Sequence, residues 1–270
     1  MNFDTISERG LVMLGCGRMG SAMLQGWLGS GLSAQAVWVV DPNPSDWVRD
    51  QGVHINADLP DAPAVVLIAV KPQMMGEALP TLAGMTSPDT VFVSVAAGTP
   101  ISAYETALGA DRVIVRTMPN TPAAVGRGVT AIIGNENTGA PDLDLVEQLM
   151  SAVGEVVRLD NEDQMHAVIA TSGSAPAYVF NLIEAIATVG AEMGLAPDLA
   201  LKLATGTVAG AGHLAQTANE GPDQLRINVT SPGGTTAEAL KVLMDDQKGL
   251  TPLIRAAMQA CAARSREMAE

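Results

Sequence analysis

The sequence predicts an α/β protein in two parts: a Rossmann-like, doubly wound sheet domain over 1–160, then an all-helical domain over 161–270. Three observations carry this. Apolar runs of strand length recur through the first half, and several stop at a group of small and polar residues. The first of them enters Gly15-Cys16-Gly17-Arg18-Met19-Gly20 and then a helix-period segment. From Gln164 onward no strand-like run occurs. A chain of 270 residues suits two domains of this size.

The elements follow in order. Gly10–Leu14 is a short buried strand, and Ser21–Leu28 is the helix after the glycine turn. Strand, glycine turn and helix is the context in which GxGxxG binds a dinucleotide. Gly15 permits the tight turn, Gly17 lets pyrophosphate approach the backbone, and Gly20 lets helix and strand pack closely. Val37–Val40 is the second strand and ends at Asp41. That residue lies at roughly the spacing of the acid that binds the adenosine ribose, although Asp41-Pro42-Asn43-Pro44 also reads as a plain turn. Facing the ribose, Asp41 favours a free 2′-hydroxyl and repels a 2′-phosphate. Ala64–Val70, Val91–Val95 and Arg112–Val115 are the next strands. They end in Lys71-Pro72-Gln73, Ala96-Ala97-Gly98-Thr99 and Arg116-Thr117-Met118-Pro119-Asn120-Thr121-Pro122, where ligands of open α/β sheets bind. Two further strands, Val129–Gly134 and Val156–Leu159, flank a helix opened by Pro141 with Asp142 and Asp144.

The second half reads as helices over Ala167–Glu192, Asp198–Ala218 after Pro197, Thr236–Met244 and Thr251–Met268, with a break at Asn219-Glu220-Gly221-Pro222. Small residues are dense, as in Ala204, Gly206, Ala209, Gly210, Ala211 and Gly212. Glycine in a helix costs about 1 kcal/mol relative to Ala. The cluster therefore implies close approach of another helix, from a second subunit or from a tight intrachain bundle. Before the third helix stands Val229-Thr230-Ser231-Pro232-Gly233-Gly234-Thr235-Thr236. Thr235 or Thr236 is expected to cap that helix, with Glu238 holding its first turn. The paired glycines free backbone N–H groups to point at an anion, although a loop with a good cap is the simpler reading.

Composition bounds the partners. Apolar residues are 47% but aromatics only 3%, so the core is built from Ala, Val, Leu, Ile and Met. The net charge of −14 argues against nucleic acid and anionic membrane, and leaves small anions open. Two cysteines form no disulfide framework, no apolar run approaches the ~20 residues of a membrane span, and Met1–Gly10 lacks the pattern of a secretory signal. These features suit the cytoplasm. No metal site is expected.

Six stretches now in view resemble the pyrroline-5-carboxylate reductases: Gly15–Gly20, Ala69–Gln73, Ala96–Thr99, Arg116–Pro122, Gly173-Ser174-Ala175-Pro176-Ala177-Tyr178 and Val229–Thr236. The glycine motif is shared with many dehydrogenases, whereas the Lys-Pro-Gln, Met-Pro-Asn-Thr-Pro and Ser-Pro-Gly-Gly-Thr-Thr stretches are far more specific. Ala175 departs from the family's usual glycine. The resemblance implies NADPH or NADH as cofactor, 1-pyrroline-5-carboxylate as substrate, a helical dimerisation domain, a substrate site where the two domains meet, and assemblies built from dimers.

It also implies roles. The cofactor is expected on Gly15, Cys16, Gly17, Arg18, Met19, Gly20, Asp41, Asn56, Ala69, Val70, Lys71, Pro72, Ala96, Ala97 and Asn120. Backbone N–H groups around Ser231, Gly233, Gly234 and Thr235 would anchor the substrate carboxylate, and the Thr236 hydroxyl would contact the ring nitrogen. Asn228 would join that loop's hydrogen bonds, and Glu162 would face the ring nitrogen as a charge partner, although acids at helix starts are usually caps. Lys71 reads as a donor to the cofactor beside the nicotinamide ribose; taken alone, a solvated lysine at a strand end is the plainer reading. Cys16 reads as a small loop residue. His54, His166 and His213 suit surface or core roles. Two competing readings are a 3-hydroxyacid dehydrogenase or imine reductase of similar architecture, and a non-catalytic dinucleotide sensor. The first commonly carries a lysine on the first long helix after the nucleotide domain, where this chain has Asn181 and Glu184. The second would not require Ser231–Thr236.

Overall fold

The computed structural model describes residues 3–82, 84–85 and 87–269. The elements run α1 (Asp4–Arg9), β1 (Leu11–Leu14), α2 (Arg18–Gly29), β2 (Val37–Val40), α3 (Asp46–Arg49), β3 (His54–Ile55), β4 (Val65–Ile68), α4 (Met75–Ala78), β5 (Val91–Ser94), α5 (Ile101–Leu108), β6 (Val113–Met118), β7 (Gly128–Gly134), α6 (Ala140–Ser151) and β8 (Gly154–Arg158). Helices follow: α7 (Met165–Val168), α8 (Ala175–Glu192), α9 (Pro197–Thr217), α10 (Pro222–Asn228), α11 (Thr235–Leu243) and α12 (Leu250–Glu267).

One sheet of order β3-β2-β1-β4-β5-β6-β7-β8 organises the first half. Its pairings are parallel except β6 with β7. The central strands are buried on both faces, which is why they read as unbroken apolar runs. Alternate residues serve opposite layers. Leu11, Met13, Val65 and Leu67 join Met23, Leu24, Trp27 and Leu149. Val12, Leu14, Val66 and Ile68 join Leu79, Leu82 and Tyr104. Full burial of each such aliphatic side chain contributes roughly 1.5–3 kcal/mol. Trp27 Nε1 donates to the Leu149 carbonyl oxygen at 2.7 Å, tying α2 to α6.

The chain divides into two compact units: Met1–Gly173 with Ala262–Glu270, and Ser174–Cys261. This division differs from the boundary expected at 160/161, because residues after β8 still pack on the sheet unit. Met165, Ile169 and Ala170 are buried there. The later segment of α12 belongs to it too. His166 Nδ1 and Ser265 Oγ are 2.9 Å apart, and a Cβ on Gly98 would lie 3.2 Å from the Met268 Cβ.

Several elements were not expected. The edge strand β3 has only two residues, too few for a period, and is held by His54 stacking on Trp38 at 4.5 Å. Helices α1, α3, α5 and α10 are short. The single helix expected over Ala167–Glu192 is divided: α7 passes into a π-helical stretch, Ile169–Gly173, before α8. Pro176 has no N–H to give the Ser172 carbonyl four residues back, and that oxygen accepts instead from Asn120 Nδ2 at 3.2 Å.

Candidate active site

Within the sheet unit, register aligns the strand ends. Val40, Leu14, Ile68, Ser94 and Arg116 form one row across five strands. Asp41, Gly15, Ala69, Val95 and Thr117 are each the next residue, so most of the expected cofactor residues share the carboxyl edge of the sheet.

The three motif glycines differ in what closes around them. A Cβ on Gly15, at φ 87°, would lie 2.9 Å from Val70 Cγ1 and 3.1 Å from the Ala69 carbonyl. One on Gly20 would lie 3.1 Å from the Gly15 carbonyl oxygen. A Cβ on Gly17 would meet nothing within 4 Å beyond its chain neighbours and the backbone of its own helix, and Gly17 is the N-cap of α2 with no side-chain cap. Its φ of −72° is open to any residue. The chain itself therefore favours glycine at position 15 by both backbone angle and space, and leaves little room for a side chain at position 20. At position 17 the chain gives no such reason, and the uncapped start of α2 there is open to an anion such as a pyrophosphate. The helix begins at Arg18 rather than Ser21.

Other expected cofactor residues take mixed roles. Arg18 is exposed, and Met19 packs against the core. Cys16 is buried; its N–H donates to Asp41 Oδ2 at 2.7 Å, and burial pushes its thiol pKa up, with the Asp41 charge adding to the rise. A protonated thiol suits a loop residue and not a redox nucleophile. Asn56 bonds the Asp41 main chain. Val70 packs against the core, and Lys71 is exposed, its ammonium without a partner among the described residues. Pro72 opens a 3-10 turn, Pro72–Met74; its side chain lies outside the described residues. The Ala96 N–H donates to Ser94 Oγ at 3.2 Å, and Ala97 is half-buried.

Two of the expected site residues are engaged within the chain. Asn120 is buried, and its amide is occupied by the chain: Oδ1 accepts from the Val129 N–H at 2.9 Å, and Nδ2 serves Ser172. Glu162 does not stand unpaired toward a ligand. Its Oε1 accepts from Arg116 Nη1 at 2.6 Å and from the Ile101 N–H at 2.9 Å, pairing a buried guanidinium and capping α5. Arg116 itself went unrecognised as a site residue, although a charge inside an apolar strand was the available signal. Its Nη2 is buried with no hydrogen-bond partner among the described residues. Ser94 and Tyr104, hydrogen-bonded to each other, complete this buried polar group, and burial raises the Tyr104 pKa.

In the helical unit the expected substrate residues cluster in one loop. The Gly234 N–H donates to the Ser231 carbonyl oxygen at 3.0 Å, and Gly233 turns the chain at φ 68°. The capping expectation is corrected: Gly234 is the N-cap of α11, no side chain caps it, and both threonines lie inside the first turn. Glu238 pairs with Lys241 at 2.6 Å instead of closing a capping box. The Gly234 N–H is thus engaged, while the first amides of α11 have no intrahelical partner. Asn228 does not join this loop. Its Oδ1 accepts from Gln224 and its Nδ2 donates to Glu220 at 2.7 Å.

Comparisons with known proteins agree across the chain. Residues 162–268 match the family model described as pyrroline-5-carboxylate reductase dimerisation, and residues 11–98 match that of NADP oxidoreductase, coenzyme F420-dependent. The Pseudomonas aeruginosa pyrroline-5-carboxylate reductase is 36% identical over 96% of this chain and 97% of its own length. That of Escherichia coli is 35% identical over 97% and 99%. Among solved structures, a pyrroline-5-carboxylate reductase from Coxiella burnetii superposes with a TM-score of 0.90 at 32% identity, covering 97% of this chain and 99% of that one. The Plasmodium falciparum pyrroline carboxylate reductase, with NADP bound, gives 0.85 at 26% identity, covering 98% and 99%.

Proposed function

This chain belongs to the pyrroline-5-carboxylate reductase family, and from that premise we propose how its residues divide the work. The protein is an NAD(P)H-dependent oxidoreductase that reduces the C=N bond of 1-pyrroline-5-carboxylate to give L-proline, the last step of proline biosynthesis. NAD(P)H, when bound, supplies the hydride.

The substrate is a five-membered cyclic imine bearing a carboxylate. Protonation of its ring nitrogen gives an iminium, already a good hydride acceptor. The residues must therefore position it rather than perform elaborate acid–base chemistry. The observation that carries the assignment is the uncapped start of α11 behind the Ser231–Gly234 turn. Its first amides and the positive end of the helix dipole suit the carboxylate. The Thr236 hydroxyl, in the first turn, is assigned to the ring nitrogen. Ser231, Gly233 and Thr235 shape that pocket, and Gly234 holds the turn.

On the sheet edge, Gly15, Gly17 and Gly20 with the start of α2 would hold the pyrophosphate. Ala69, Val70, Ala96 and Ala97 would offer backbone to the nicotinamide half of the cofactor, and Lys71 would donate to its ribose. Arg116, Glu162 and Asn120 act by holding strand ends and α5 in place, and Asn228 by holding α10. The homodimer is built on the helical unit. A larger assembly of dimers belongs to the same reading, supported by the exposed Val242 and Leu243 of α11, Met244 just after it and Leu253 of α12. Cytoplasmic residence is supported by the free thiols of Cys16 and Cys261.

The test is oxidation of NADH and of NADPH with racemic pyrroline-5-carboxylate, followed by loss of reduced-cofactor absorbance and by proline analysis. Proline formed in step with oxidation is the expected outcome. A protein that binds either cofactor and reduces no cyclic imine would be the sensor.

A further inference from the structure

Asp41 stands at the carboxyl end of β2, beside the glycine loop, and all four of its polar atoms are engaged. Oδ2 accepts from the Cys16 N–H at 2.7 Å, and Oδ1 from the Asn43 N–H at 2.8 Å. The main chain is closed by one side chain. The Asp41 N–H donates to Asn56 Oδ1 at 3.0 Å, and Asn56 Nδ2 donates to the Asp41 carbonyl oxygen at 2.9 Å. Asn56 does this at φ 49°, in the left-handed region that asparagine tolerates better than most residues.

This arrangement fixes a negative charge rather than neutralising it. None of the four partners is a cation. A carboxylate offers about four acceptor directions, so each oxygen keeps one for a further donor, and Asp41 is half-buried rather than sealed. It can accept from a hydroxyl. It cannot rotate away from an approaching anion without breaking its bond to the glycine loop. The neighbouring sequence offers no compensation: Val37–Val48 holds no Lys or Arg and adds Asp46, and Arg49 comes only at the far end of α3. Arg18 opens α2, the end assigned to the pyrophosphate.

We propose that the Asp41–Asn56 clamp makes this protein select the dinucleotide with a free 2′-hydroxyl, NADH, over NADPH. The inference rests on the reading that the glycine loop holds a dinucleotide. The ribose 2′-hydroxyl donates to the fixed carboxylate, whereas a 2′-phosphate, with roughly −1.5 to −2 charges near pH 7, meets like charge that cannot withdraw. Asn56 is a positioning residue: it sets where the Asp41 carboxylate points.

Calorimetric titration of the intact protein with NADH and with NADPH tests this without turnover. The wild-type protein is expected to bind NADH about a hundredfold more tightly. Asp41→Ser should bring the two dissociation constants within a few-fold of each other, chiefly by tightening NADPH. Asp41→Asn, which keeps the shape and removes the charge, should move the ratio the same way and guards against a folding defect in the first variant. Asn56→Gly, which accepts the same backbone angle and removes the clamp, should lower the ratio about tenfold. Equal or tighter binding of NADPH by the wild-type protein, or an unchanged ratio in both Asp41 variants, overturns the proposal. Failure to bind either dinucleotide overturns the glycine-loop reading beneath it as well.

Discussion

The two units draw on similar aliphatic residues and use them in opposite ways. In the sheet unit, β1, β4 and β5 are buried along their whole length. Among described residues its large exposed hydrophobics are few: Met74, Val125, Val157 and Met268. In the helical unit only Ala200, Ala204 and Gly249 are buried among the described residues. Val179, Phe180, Leu182, Ile186 and Val189 stand exposed along α8, and Leu199, Leu201, Leu203 and Leu214 along α9. The small residues of α9 tell the same story, since Gly206, Gly210 and Gly212 have nothing of their own chain within 4 Å of a Cβ. A tight intrachain bundle would have closed around them. The sheet unit thus completes its core from within, whereas the helical unit leaves an apolar surface exposed, on the segment matched by the family's dimerisation model.

The largest expected effect breaks that division. Phe180, 58% exposed in the single chain, is one of the exposed hydrophobics of α8. Phe180→Glu should raise the dimer dissociation constant on the order of a hundredfold or more, seen by light scattering, while leaving NADH binding to the sheet unit intact. Dimers as tight as the wild type would show that some other face is covered. Next comes the sheet unit's own weak point. Glu162→Ala strands the buried Arg116 and should cost about 3 kcal/mol in denaturant unfolding. Adding Arg116→Met should recover much of that loss, and a double variant no better than the single one would refute the pairing argument.

Smaller effects separate function from stability inside each unit. Thr236→Ala should lower turnover roughly 10- to 100-fold, the value of one hydrogen bond to a charged group, with NADH affinity unchanged by titration. Collapse of cofactor affinity with normal turnover would misassign the residue. The least effect on folding is expected at Gly17, where a methyl meets open space. Gly17→Ala should change stability by under about 1 kcal/mol and weaken dinucleotide binding about tenfold. Equal binding by the variant would remove pyrophosphate as the reason for that glycine.

What could be read from sequence follows the range of the interactions involved. Strands buried on both faces announce themselves as apolar runs, and the glycine loop is local, so the parallel sheet and its ligand edge were legible. β3 was not, because two residues have no period and its pairing with β2 is a tertiary fact. The π-helical stretch was not, because it depends on Asn120 reaching Ser172 across 52 positions. Glu162 looked like a local cap and is one, for a helix 61 residues earlier. Thr235 and Thr236 carry good capping chemistry, but Gly234 takes the extended position, and this leaves the start of α11 open for a ligand.

The bond between His166 and Ser265 has a consequence for how the protein is made. A ribosome delivers residues in order, and N-terminal domains commonly fold as they emerge. Here the sheet unit counts residues 262–269 among its own, and these are synthesised only after the whole helical unit. The first unit to begin folding is therefore among the last to finish. The nascent chain carries an apolar helical surface before its nucleotide-binding half has closed. Ribosome-stalled chains lacking the segment after Cys261 should be more sensitive to protease in the sheet unit than released ones.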